Sequence, residues 1–133
     1  MKMRVAAIFL GVGMLFAQSG LVSRKTAEHY VWGGDCDGWY LLKTDAMHVI
    51  EERLPPGRGE SLHLHRKALQ SFYVLKGTAT FEADGKTVTV GERESFVVQP
   101  GTKHRVTNHG RGDLEILVTS QPPSHGDREE VAR

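Results

Sequence analysis

From Trp39 to Ser120 the chain repeats one rhythm: four to eight residues rich in Val, Ile, Thr and aromatic side chains, then Gly, Pro, Asn or Asp. β-Branched and aromatic side chains suit a pleated surface, and the punctuating residues suit tight turns, so the rhythm predicts many short strands. They fall near residues 39–43, 47–54, 61–65, 71–76, 78–83, 86–90, 95–98, 103–108 and 113–120. An open sheet of that many strands leaves long unpaired edges, so the strands must close into a sandwich or barrel. The fold class is all-β. Ala83-Asp84-Gly85-Lys86 carries the Asp-Gly pair of a two-residue hairpin, and Lys76-Gly77 separates Phe72–Leu75 from Thr78–Phe81.

The ends read differently. Lys2 and Arg4 precede an unbroken apolar and glycine run from Val5 to Ala17, followed by Gln18 and Ser19. That is the pattern of a secretory signal, and it is too short for a bilayer span of roughly 20 helical residues. An uncleaved anchor is the weaker alternative. The expected organisation is a signal peptide over 1–19, an aromatic-rich segment packing on the barrel over 20–45, the barrel over 46–121, and a polar, mobile tail over 122–133. Residues 26–45 crowd Tyr30, Trp32, Trp39 and Tyr40 around glycines, which suits packing on a barrel wall or a dimer contact more than a lid.

Seventeen Lys and Arg stand against 16 Asp and Glu. Cleavage after Ser19 removes Lys2 and Arg4 with no acid, so the net charge turns from +1 to −1. Nucleic-acid binding needs clustered cations that release counterions from phosphates, and here the two signs alternate, which excludes that class. Cys36 is the single cysteine, so no disulfide forms within the chain; a small packed residue near Trp32 and Trp39 is its simplest role.

His63 and His65 are one residue apart on an expected strand, so both point to one face while Leu62 and Leu64 point to the other. Two buried imidazolium cations repel and resist desolvation, whereas two neutral imidazoles sharing a metal are stabilised. An exposed pair on the outer face is the plain alternative. The pair alone leaves the ligand type open.

The wider pattern is more specific. Gly57, five residues, His63, one residue, His65, four residues, Gln70, six residues and Gly77 precede a second group: Pro100-Gly101, two residues, His104, three residues, Asn108. This layout resembles the two motifs of the cupin superfamily over roughly Val49 to Ser120. The resemblance implies a single double-stranded β-helix, or jelly-roll, barrel with His63, His65 and His104 facing inward around one divalent metal. Gln70 stands where the family has a glutamate, Gln99 where it usually has a proline, and Arg93 where it usually has a glycine.

Imidazole with an oxygen donor suits Mn, Fe, Ni, Co or Zn and does not choose among them. With Gln70 as the fourth ligand all donors are neutral, so the metal keeps its full charge and favours anionic oxygen ligands. Otherwise Gln70 hydrogen-bonds a histidine or a strand backbone. On the strand before Pro55-Pro56, alternation puts His48 and Glu52 on one face and Glu51 and Arg53 on the other. If its face is inward, Glu52 is the candidate general acid or base; a solvated charge is the plain reading. His29, His109 and His125 read as surface histidines. The expected function is a metal-dependent enzyme on a small anionic or polyhydroxy molecule, in the oxygenase, decarboxylase, isomerase or lyase classes. The alternative is an exported binding or structural module. A homodimer is expected, through an edge strand or the aromatic segment.

Overall fold

The structure, a computed structural model, describes residues 20–132, so the apolar run of the expected signal lies outside the described residues. Eleven strands and no helix occur among them: β1 Glu28–Trp32, β2 Cys36–Lys43, β3 His48–Leu54, β4 His63–Leu64, β5 Leu69–Lys76, β6 Ala79–Ala83, β7 Lys86–Val90, β8 Ser95–Val98, β9 His104–Thr107, β10 Leu114–Gln121 and β11 Glu129–Glu130. A six-stranded sheet runs β1-β2-β3-β10-β5-β8, and a five-stranded sheet runs β11-β4-β9-β6-β7. Every pairing is antiparallel.

The alternation that was open in sequence is resolved on β3. His48, Ile50 and Leu54 are buried, and Glu52 shares their face and lines an internal cavity. Arg53 faces out, where its guanidinium meets Asp37 at 2.6 Å and Asp113 at 3.3 Å. On β10, Leu114, Ile116, Val118 and Ser120 are buried and their neighbours are not. Phe72 and Val74 of β5 complete the same inward face. Phe81 and Phe96 stack with centroids 4.6 Å apart, and Phe72 meets Phe81 edge-on at 5.1 Å. Complete burial of a side chain such as Phe81 contributes about 1.5–3 kcal/mol.

Asp84 and Gly85 both have positive φ, 48° and 79°, so the β6–β7 connection is the expected two-residue hairpin. Asn108 ties the loops after β3 and β9 together. Its amide donates to the carbonyls of Leu54 at 2.8 Å and Gly112 at 2.9 Å and accepts the Gly110 N–H at 2.9 Å.

Two segments differ from the sequence reading. Residues 28–32 form a strand that pairs with β2 and so extends the six-stranded sheet. The tail is built into the fold: Glu129 and Glu130 pair with Leu64 and His63, and the Val131 N–H donates to the Leu62 carbonyl at 3.0 Å. Charged side chains masked it, because a two-residue edge strand has no apolar alternation to read.

Candidate metal centre

Cross-strand pairing builds the centre. His63 on β4 lies opposite His104 on β9, and His65 follows two residues on. The second motif is held against the first by its turn: Gly101 has φ +81° and donates its N–H to the His65 carbonyl at 2.6 Å. A side chain is poorly tolerated with that φ. Approach is also close on the other flank, where a Cβ on Gly59 would lie 2.7 Å from the Val106 carbonyl oxygen.

The three rings gather with centroids 4.4, 4.9 and 5.5 Å apart, and each offers a ring nitrogen within 4.8 Å of the others. Each Nδ1 contacts a backbone carbonyl: Ser61 for His63 at 2.7 Å, Asp127 for His65 at 2.5 Å and Thr102 for His104 at 2.8 Å. A carbonyl only accepts, so each Nδ1 carries the proton and each Nε2 keeps its lone pair, the tautomer a metal ligand needs. The Nε2 of His104 is buried and has no protein partner.

Burial pushes the His63 imidazole down to about 3, with His104 adding to the fall against the Ser61 carbonyl. It lowers His65 and His104 as well. The centre is thus a set of neutral donors.

Gln70 is 4% exposed, its Nε2 donates to Ser120 Oγ at 3.0 Å, and its Oε1 is buried without a partner. An orphaned amide oxygen in a cavity beside His65 fits a fourth donor. The residues present therefore fit a divalent ion.

A cavity of about 290 Å³ opens beside His65, with Ile50, Phe72 and Val118 as its apolar wall. Its polar lining includes Glu52, Glu60, Gln70, His125 and Arg128. Burial pushes Glu52 up to about 8, with the Glu60 charge adding to the rise. It pushes Glu60 up to about 7, against the lowering effect of Arg128 and the Val106 N–H.

Glu60 is the acid that alternation could not find. It lies 3.6 Å from His63 Nε2 and accepts the Val106 N–H at 3.1 Å, yet it stands an odd number of residues from both histidines. The chain between Pro55 and Leu62 is a turn with one isolated bridge, Gly59 to Thr107, so a period of two does not hold there. His125 is exposed, as expected, and also lines the cavity, with its Nδ1 in contact with the Tyr40 hydroxyl at 2.6 Å. His29 is exposed and pairs with Asp37 at 2.7 Å. Cys36 is completely buried, and burial pushes its thiol up to about 11.

Residues 50–120 match the cupin domain family. The chain belongs to that family. Among curated relatives, this cupin is 29% identical over 113 residues to an oxalate-binding protein of Thermotoga maritima, covering 81% of this chain and 93% of that one. It is 32% identical over 90 residues to an uncharacterized protein of Methanocaldococcus jannaschii, covering 67% and 72%. Of solved structures, a predicted oxalate decarboxylase from Thermotoga maritima superposes with a TM-score of 0.72 at 23% identity, over 78% of this chain and all of that one. A double-stranded β-helix protein from Klebsiella pneumoniae gives 0.71 at 18% identity, over 86% and 99%. At those identities the two structures bear on the fold, which is the double-stranded β-helix expected of the sequence.

Proposed function

We propose that this cupin holds one divalent transition metal, Mn, Fe, Ni, Co or Zn, on His63, His65 and His104 with the Gln70 amide oxygen as fourth donor, and acts on a small anionic molecule. The observation that carries this reading is the convergence of three buried, neutral imidazoles whose Nδ1 atoms are all engaged by backbone carbonyls. When bound, the ion supplies a Lewis acid that polarises an oxygen of the ligand. The chain does the rest. Neutral donors leave the ion's charge for the ligand to balance, which selects a carboxylate or enolate over a neutral alcohol. Ile50, Phe72 and Val118 exclude water from one side. Glu52, whose carboxyl burial pushes up to about 8, is the general acid or base.

Oxalate is the first ligand to try, since the Thermotoga relative is named for binding it. Protein purified without an affinity tag should contain about one equivalent of metal, and His63→Ala should lose most of it. An unchanged metal content in that variant removes the proposal.

That relative's name, which describes binding, also favours a second reading: an exported module that holds a carboxylate without converting it. Oxalate then raises the melting temperature, and no metal of the series gives turnover. Export belongs to the proposal and is supported by Lys2, Arg4 and the apolar run after them. So does a homodimer, supported by the edge position of β1 and by Val31 on it, 57% exposed. Sedimentation equilibrium tests it.

A further inference from the structure

We infer that Arg128, which the C-terminal segment places in the cavity wall with its side chain 37% exposed, is the residue that recognises the carboxylate of the ligand and so sets the site's preference for small carboxylates. The inference rests on the proposed metal site and adds the specificity determinant to it.

The geometry is that of a guanidinium fixed at two corners with a third left over. Nε donates to Glu130 Oε1 at 2.8 Å, and Nη2 donates to Ser61 Oγ at 2.9 Å. Ser61 is two residues before His63, and Glu130 on β11 pairs directly with His63 on β4, so both anchors are fixed relative to that histidine. Nη1 remains, 3.8 Å from Glu60 Oε2, beyond hydrogen-bond length, in a residue that lines the cavity. A planar fork held this way loses little conformational entropy on binding, and it suits a carboxylate better than a point cation does.

No other Lys or Arg lines the cavity among the described residues. The acids that face Arg128 are Glu52, Glu60 and Glu130; Glu130 is spent on Nε and on Ser61 Oγ. Glu60 accepts the Val106 N–H with Oε1, while its Oε2 lies between His63 Nε2 at 3.6 Å and Arg128 Nη1 at 3.8 Å, neither at hydrogen-bond length. About 290 Å³ lined by both His65 and Arg128 admits a ligand of a few carbons that binds the metal at one end and meets Nη1 at the other.

The test uses full-length protein loaded with cobalt(II), whose visible spectrum reports ligand entry, titrated with oxalate and, separately, with neutral imidazole. In Arg128→Gln the oxalate Kd should rise at least tenfold with cobalt content and imidazole affinity unchanged; Arg128→Lys should fall between. Equal oxalate affinity in wild type and Arg128→Gln overturns the inference while leaving the metal site standing. Parallel losses for oxalate and imidazole also overturn it, because the residue then only braces the barrel. Should Arg128→Gln fail to fold, Arg128→Lys decides: the loss of oxalate affinity must exceed that of imidazole severalfold. Wild-type protein that takes cobalt but not oxalate overturns the inference and the anionic-ligand reading together. Protein that takes no cobalt overturns the metal site itself.

Discussion

His65 donates its Nδ1–H to the carbonyl oxygen of Asp127 at 2.5 Å, while the Asp127 carboxylate accepts the backbone N–H groups of Arg66, Lys67 and Ala68 at 3.1, 2.9 and 3.0 Å. One residue near the C-terminus therefore orients a candidate ligand and clamps the turn that follows it. Asp127→Ala keeps the carbonyl but frees the clamp, so the ring loses its fixed partner. Metal affinity should fall by less than the about 10–100-fold of a lost outer partner, because the carbonyl is retained and only its anchoring is loosened. Stability should fall by about 1–2 kcal/mol for the freed amides. A metal competition assay and urea unfolding measure the two, and Asp127→Asn, whose amide oxygen still accepts, should recover part of each.

Gln70 tests the charge of the centre. Gln70→Glu adds a carboxylate where the amide oxygen is orphaned, and it removes the Nε2 donor from Ser120 Oγ. Metal retention should equal or exceed wild type, because a carboxylate is the better ligand for a hard divalent ion. Oxalate affinity should drop severalfold, because the metal no longer depends on the ligand for its negative charge. Dialysis against chelator followed by calorimetry separates the two effects; if Glu and Ala at this position both leave metal and oxalate binding unchanged, Gln70 is not a ligand.

Glu52 makes a prediction about pH. Its carboxyl is pushed from an ordinary 4.5 to about 8 in the fold, first by burial and then by Glu60. Between those two values the native state binds more protons than the unfolded chain, so this group's contribution falls as pH rises from about 4.5 to about 8. The lowered histidines act in the opposite sense below their ordinary values, so the variant difference is the clean quantity. Metal-free Glu52→Gln should gain stability over wild type progressively across that window, by about 1–3 kcal/mol near its top once cavity solvent is allowed for. Thermal unfolding at intervals from pH 5 to 8.5 measures it, and a difference independent of pH refutes the assignment.

The sequence made the sheets legible because their information is local: Val, Ile and aromatic alternation on β3, β5 and β10, and an Asp-Gly pair at the β6–β7 turn. His63 and His65 were legible through a period of two, and His104 through the resemblance of the Pro100-Gly101 to Asn108 spacing to the second cupin motif. Glu60, Asp127 and Arg128 were not. Each reaches the cavity or its ligands from irregular backbone, where no period predicts a direction, and their partners lie far along the chain. Glu52 was half legible: alternation gave its companions, and only the pairing of Arg53 with Asp37 and Asp113 on the outer face fixes which side is in.

Asn108 gives the last prediction, on a residue that touches neither the histidines nor the cavity. It is 1% exposed, and its side chain makes three hydrogen bonds to backbone that joins the ends of β3 and β9 to the loop before β10. Asn108→Ala leaves the Leu54 carbonyl without this donor and removes the acceptor of the Gly110 N–H. A buried group stripped of its partner costs about 1–3 kcal/mol, and the exposed Gly110 end recovers its bond from water. The expected loss is therefore about 2–4 kcal/mol, seen as a lower urea midpoint with an unchanged slope. Asn108→Asp should be worse than Ala, since it places a charge there with no donor toward either carbonyl. Metal content per folded molecule should stay at the wild-type value in Asn108→Ala, because Gly101 and the β4–β9 pairing, which position His104, do not pass through it.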